Sequence, residues 1–476
     1  MRTSVTLWAV GCAALALSHG PARAQAPPPA APPTTPPAAP ATPPVAPAPT
    51  TPPAARTPAQ PAPPADTPQA KVFGRVLSVD DAVAIALETQ PTIQARLSDY
   101  AAAVYRVDQE FSRLLPQVTG SVTVARSQTV VGIGNGTVAG RSDTTWNTTL
   151  APRVSLSQVL FDFGKTHAST EVARRLAEVA LEDTELQRQL ITQTVKEAFT
   201  NINFAQRLIR VNEQALQRAE LNLKSARGFF EVGTRPKSDV TRAEVDVANA
   251  RVDVIRARNA ERLARVALAT AMGLPATTPL QIEDNLVYQP ISLDPVRLLE
   301  EALRRRPESR QARLQAEAAE GLVRRAFRDF FPDITGGGFY GAARTDLTEV
   351  WELNLALSWS LFDGGNRIAR YREAKANLDA AQSRVRATEL DISREVEQAQ
   401  NNLIETQERI QAAQVAVASA QENFRLAQGR FDAGVGTILE LTDAQLALTQ
   451  AQNTEAQALA DYQIALARLD RATGRR

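Results

Sequence analysis

Between Leu77 and Leu115 apolar residues recur at helical spacing, broken at Pro91, and the pattern returns from Leu293 to Phe331 with its break at Pro307. The period then falls to two. From Trp351 to Leu361 every odd position (Trp351, Leu353, Leu355, Leu357, Trp359, Leu361) is large and apolar, while the even positions are Glu352, Asn354, Ala356, Ser358 and Ser360. This predicts a strand with one apolar face. The corresponding stretch upstream alternates less cleanly, with Trp146, Leu150, Val154 and Leu156 on one side and Asn147, Thr149, Arg153 and Ser155 on the other. A partner strand is expected before each, near Val118 to Val130 and Ile334 to Ala342, so the chain carries two β-hairpins.

After each hairpin comes a segment without Pro or Gly, Gly164 to Gly228 and Gly365 to Gly429, each enclosing 63 residues. At 1.5 Å per residue such a helix spans roughly 95 Å. A thin seam (Leu176, Val179, Leu186, Leu190, Ile202, Ala205, Ile209, Leu216, Leu223) predicts coiled-coil packing. A tight turn follows at Phe230–Asp239 and at Phe431–Glu440. Gly233 and Gly434 are expected to end one helix there, and Ser238 or Thr437 to cap the next. The predicted helices Thr92–Leu115 and Asp239–Met272, laid end to end, match the length of the long one.

These parallels are a tandem duplication. Phe161, Asp162, Gly164, Gly228, Phe230, Gly233, Ala243 and Gly273 recur 201 residues later as Phe362, Asp363, Gly365, Gly429, Phe431, Gly434, Ala444 and Gly474. Leu77, Pro91, Phe111 and Pro116 recur 216 residues later as Leu293, Pro307, Phe327 and Pro332. The first repeat therefore holds 15 extra residues, centred on 132–142 and expected to form a longer extracellular loop than 345–348. The expected organisation is a first repeat at 71–273, a linker at 274–294 and a second repeat at 295–476.

Two segments precede the repeats. Arg2, the apolar run Val5–Leu17 and Ala22-Arg23-Ala24 read as a signal peptide over 1–24, cut before Gln25. Cys12, the single cysteine, lies inside that run and is a poor acylation site, so the mature chain has no thiol. Residues 25–70 form a Pro-rich arm, with 19 of the 30 prolines between Pro27 and Pro68, and this composition is expected to be disordered. Charge is balanced, Lys and Arg 53 against Asp and Glu 52, which gives no electrostatic pull toward nucleic acid. No mature segment has the roughly 18 apolar residues of a membrane-spanning helix.

Membrane insertion would therefore use the strands. Trp146, Trp351 and Trp359, all the tryptophans of the mature chain, lie in them, and Trp351 and Trp359 would stand ~26 Å apart, near the two edges of a lipid band. Four strands cannot close a barrel, which needs about eight. The barrel must be shared, by a dimer with eight strands or a trimer with twelve. The fold class is mainly α with one β-hairpin per repeat.

The element order, the strand-exit motifs Leu160-Phe-Asp-Phe-Gly164 and Leu361-Phe-Asp-Gly-Gly365, and the Phe-x-x-Gly tips at Phe230 and Phe431 resemble the TolC-type outer membrane efflux protein family. The likeness covers 71–476. It implies a homotrimer whose α-helical barrel continues into a shared 12-stranded transmembrane β-barrel, placed in the outer membrane with a long periplasmic part. It further implies a channel of a tripartite efflux or type I secretion system, with a periplasmic adaptor protein, an inner-membrane pump and outer membrane lipid as partners. Gly233, Thr234, Gly434 and Gly436 would form adaptor-docking tips. Glu440 and Asp443 align with the family's periplasmic gate, where three chains would gather six carboxylates. The plainer reading is that both simply suit a helix N-terminus. Relatives latch this tip with Tyr and Arg, where this chain has Phe431 and Gly436, so the family's latch is not carried over; Arg235 in the neighbouring tip could substitute.

Chemistry has little to work with. The mature chain has one histidine, His167, expected at the surface, and no nucleophile set, metal cluster or phosphate loop; Gly132–Gly136 and Gly336–Gly338 do not lead from a strand into a helix. No enzyme, cofactor or metal is expected. The alternatives are a periplasmic adaptor, which would carry one helical hairpin and compact β domains, and a coiled-coil structural protein, which would lack the β-hairpins.

Overall fold

The computed structural model describes residues 75–131, 143–284, 286–291, 294–343 and 347–475. The expected signal peptide, the Pro-rich arm and the loop at 132–142 lie outside them, as do 345 and 346 of the shorter loop.

Both repeats fold to the same plan. The first runs α1 (Val79–Thr89), α2 (Pro91–Phe111), a 3-10 turn (Ser112–Leu114), β2 (Gln117–Val131), β3 (Asp143–Phe161), α3 (Lys165–Glu231) and α4 (Lys237–Ala271). The second runs α5 (Pro295–Arg305), α6 (Pro307–Arg328), β5 (Asp333–Ala343), β6 (Thr348–Ser358), α7 (Asn366–Asp432) and α8 (Ile438–Ala472). α3 and α7 each hold 67 residues, α4 and α8 each 35, so the duplication is kept to the residue through both long hairpins.

The motif Phe-Asp-x-Gly starts each long helix. Asp162 Oδ1 accepts from Gly164 N at 2.9 Å and Oδ2 from Thr166 N at 2.6 Å; Asp363 repeats this with Gly365 N at 3.1 Å and Arg367 N at 3.0 Å. Gly164 and Gly365 take φ of +84° and +87°, which turns the strand exit into the helix axis. Burial alone pushes the Asp162 carboxyl up, but hydrogen bonds from Thr166 and Gly164 outweigh it and hold it below the usual carboxylate range. Its stabilisation is therefore full at neutral pH and lost as pH falls through the depressed value. Asp162→Ala is expected to cost about 1 kcal/mol in denaturant unfolding at pH 7. That difference should shrink in acid.

Each long helix is lined by two short ones joined end to end. At the first joint Thr89 Oγ1 donates to Met272 O at 2.5 Å and Gln90 Nε2 to Ala271 O at 3.2 Å, so the start of α2 satisfies carbonyls at the end of α4. A core gathers around it, with Leu77, Ile93, Phe199, Ile202, Leu268 and Met272 buried. The second joint repeats this with Leu298, Ile392, Leu403, Tyr462 and Leu469.

The strands form one antiparallel sheet in the order β2-β3-β5-β6, which leaves one edge of β2 and one edge of β6 unpaired within the chain. Register places Val118, Val122 and Val124 with Leu150, Val154 and Leu156, then Tyr340, then Trp351 and Leu353 on one face. The chain leaves that face open: Val122 is 70% exposed, Trp351 67% and Leu353 79%. The other face carries Thr119, Ser121, Arg153, Ser155, Glu352 and Asn354.

Four expectations need correction. Leu77 is not helical; Val76–Leu77 form β1, paired in parallel with β4 (Gln281–Ile282) inside the expected linker, because the Ser78–Asp81 capping box delays the helix to Val79. The expected strand Trp351–Leu361 ends at Ser358, since the Trp359 indole donates to Phe330 O at 3.1 Å as the chain turns toward α7. The helix expected to run on to Leu115 ends at Phe111 and passes through the 3-10 turn into β2. The seam is wrong in the first half of α3. Leu176 is exposed, and the buried positions include Thr166, Ala168, Ser169, Thr170, Val172, Ala177 and Thr184, because this stretch lies between α2 and α6 and small side chains let neighbours approach.

Candidate functional site: the paired helical tips

The tips are helix ends built by sequence. At the first, Gly233 takes φ +75°, its N–H reaches Phe230 O at 2.9 Å, and Thr234 donates to Phe229 O through both its amide and its hydroxyl. At the second, Gly434 takes φ +77°, and the amides of Val435 and Gly436 both reach Arg430 O. A side chain at Gly436 would press on the Arg430 and Phe431 backbone at 3.0 Å, whereas one at Gly233 or Gly434 would meet nothing within 4 Å. The outer surface is therefore open at Gly233 and Gly434, whereas Gly436 is buried against the preceding helix end.

Thr437 caps α8, its Oγ1 accepting from Glu440 N at 3.2 Å, as expected. Ser238 does not cap α4; Pro236 holds the N-cap with its φ near the value proline enforces, and Ser238 lies inside the helix.

Arg235 joins the tips. Its Nη2 donates to Gly436 O at 2.6 Å, and its guanidinium lies 4.7 Å from the centroid of the Phe431 ring. Arg235 and Gly436 are equivalent positions of the two repeats, 201 residues apart, so the duplication meets itself here. Phe229 adds an edge-on contact to Phe431 at 5.7 Å, and Phe431 is fully buried among Ala427, Ile438, Leu441 and Ala444. Asp239 stands 3.7 Å from Arg235 and is likewise largely buried, which leaves the guanidinium both charge-balanced and fixed in direction.

Glu440 and Asp443 sit one turn apart at the start of α8, both exposed. Arg430 lies 3.4 Å from Glu440, whereas Asp443 makes no ion pair among the described residues. Within one chain the arrangement satisfies the helix-start reading. The two carboxylates still present one open acidic face.

The three tryptophans differ in setting. Trp146 lies under the Arg126 guanidinium at 5.0 Å, Trp351 pairs with Tyr340 of β5, and Trp359 is tied to Phe330 O just past the end of α6. Below the sheet Phe163 stacks on Phe331 at 5.4 Å, with Phe161, Phe327, Phe330 and Tyr371 around them. This aromatic floor was not anticipated, although its residues flank the duplicated strand-exit motifs. His167 is exposed, and no group of residues that could hold a metal occurs among the described residues. No described helix is long and apolar enough to cross a membrane.

The model of the family described as "Outer membrane efflux protein" matches residues 82–274 and 298–475. Pyoverdine export outer membrane protein OpmQ of Pseudomonas putida is 25% identical over 373 residues, covering 75% of this chain and 79% of its own. Outer membrane protein TolC of Escherichia coli is 25% identical over 402 residues, covering 79% and 78%. The solved outer-membrane channel OprN superposes with a TM-score of 0.72 at 22% identity, covering 83% of this chain and 89% of its own. With the family matched on both repeats and the fold shared with an outer-membrane channel, the chain belongs to the outer membrane efflux protein family.

Proposed function

We infer that this outer membrane efflux protein works as a homotrimer, with β2 of one copy pairing β6 of the next to close a twelve-stranded barrel. The observation that carries this is the open sheet: two unpaired edges and one continuous uncovered apolar face. Pairing the edges satisfies the backbone groups that lipid could not, and the apolar face then meets hydrocarbon. Exposed apolar residues on α4 (Val245, Ile255, Leu263) and α7 (Leu390, Val415, Leu426) would meet in the same assembly. The helices then form a periplasmic tunnel, which excludes the adaptor and coiled-coil readings.

The tips form the closed end. Gly233, Thr234, Gly434 and Gly436 offer the surface on which a periplasmic adaptor docks, and the adaptor links the channel to an inner-membrane pump. Trp146, Trp351 and Trp359 mark the membrane interfaces. Glu440 and Asp443 of three copies form a ring that favours cations and holds a divalent ion. In planar bilayers, Glu440→Ala with Asp443→Ala should reduce cation selectivity severalfold and remove block by added divalent ions, with assembly unchanged. Unaltered selectivity and block in the double variant would leave both residues as ordinary helix-start acids.

A further inference from the structure

Between α3, α7 and α8, beside the second joint, lies a cavity of about 480 Å³. Arg409, Arg468 and Arg471 line it together with Glu395, Glu405 and Asp461. Such a charged wall is not a requirement of this helix pair. The equivalent positions of the first repeat, 201 residues earlier, are Leu208, Ala267 and Thr270 for the arginines and Thr194, Phe204 and Ala260 for the acids. Helices α3 and α4 pack with those residues over the same lengths.

The charges are not evenly satisfied. Glu395 is held by Arg306 at 2.6 Å, and Arg409 stands 2.6 Å from Asp461 and 3.5 Å from Glu405. Arg468 is taken by Glu197 at 3.0 Å. Arg471 alone of the three has no carboxylate within ion-pair distance among the described residues, and its Nε, like that of Arg409, is buried without a hydrogen-bond partner. A guanidinium without an ion-pair partner beside a cavity of small-molecule size is suited to a planar anion, which it can grip with charge-assisted N–H bonds. Gln193, Gln398 and Asn402 add neutral donors and acceptors to the wall.

On α7, Glu395 and Asn402 each precede by one residue the buried Val396 and Leu403 of the second core, to which α5 contributes Leu298 and Ala302. One residue is a rotation of about 100°, so the cavity opens on another face of the helix than the one α5 covers.

From these observations we propose that the cavity is a binding site for small carboxylate solutes, centred on Arg471. Purified full-length protein in detergent should bind benzoate saturably and bind benzamide, its uncharged isostere, at least tenfold more weakly. Arg471→Gln, which keeps the length and loses the charge, should weaken benzoate at least tenfold and leave benzamide unchanged. Equal binding of the two compounds by the natural protein, or undiminished benzoate binding by Arg471→Gln, would overturn the site.

Discussion

Arg235→Ala is expected to leave the channel open at rest. Among the described residues the side chain is the one charged link between the two tips, donating to Gly436 O at 2.6 Å while capping the Phe431 ring. It is mostly buried, so its hydrogen bond is not diluted by water, and such a bond to a charged donor contributes about 2 kcal/mol. Since 1.4 kcal/mol is a factor of ten, each chain should lose on the order of ten- to thirtyfold of its preference for the tip-joined state. Three copies compound the effect. In planar bilayers the variant should show a much higher resting conductance, with Arg235→Lys intermediate because it keeps the charge without the planar fork. Phe431→Leu should produce a smaller shift in the same direction, since the carbonyl acceptor at Gly436 remains. A resting conductance equal to that of the natural protein would mean that the Arg235 contact braces one chain and plays no part in closure.

Gly434→Trp is expected to abolish export while trimers remain in the membrane. Space around this residue is open, so an added side chain points away from the chain and onto the surface that an adaptor would cover. The φ of +77° introduces local strain for any side chain with a Cβ, and that effect must be separated from docking. Gly434→Asn serves this purpose, because Asn tolerates the left-handed region better than other residues and is small. Export should fall only slightly in the Asn variant and fail in the Trp variant, read as intracellular accumulation of a dye substrate. Comparable export by both variants would place the docking surface elsewhere.

Much of this was legible in the chain because long periodic segments and duplicated motifs dominate local choice. The two-residue alternation around Trp351 gave the strand, and the Phe-Asp-x-Gly repeats gave the two helix starts, whose geometry now has a physical cause in the Asp162 and Asp363 side-chain bonds. What escaped was what depends on distant partners. Strands of two residues, such as Val76–Leu77, have no period to read and exist only through their pairing with Gln281–Ile282. The buried Thr and Ser face of α3 reads as polar surface until α2 and α6 pack against it. Arg235 was visible as a candidate, but its acceptor is a backbone carbonyl 201 residues away, and carbonyls leave no trace in sequence. Glu440 and Asp443 were found from resemblance, and a single chain holds them ready without bringing them together.

The central claim is that three copies close one barrel, and the oligomeric mass of the mature protein extracted from the outer membrane tests it most directly. Unheated samples on a denaturing gel, and the same material by native mass spectrometry, should give three chains, collapsing to one chain after boiling. A single chain before heating would contradict the pairing of β2 with β6, and a stable assembly of two or four would contradict the twelve-stranded closure on which the gate depends.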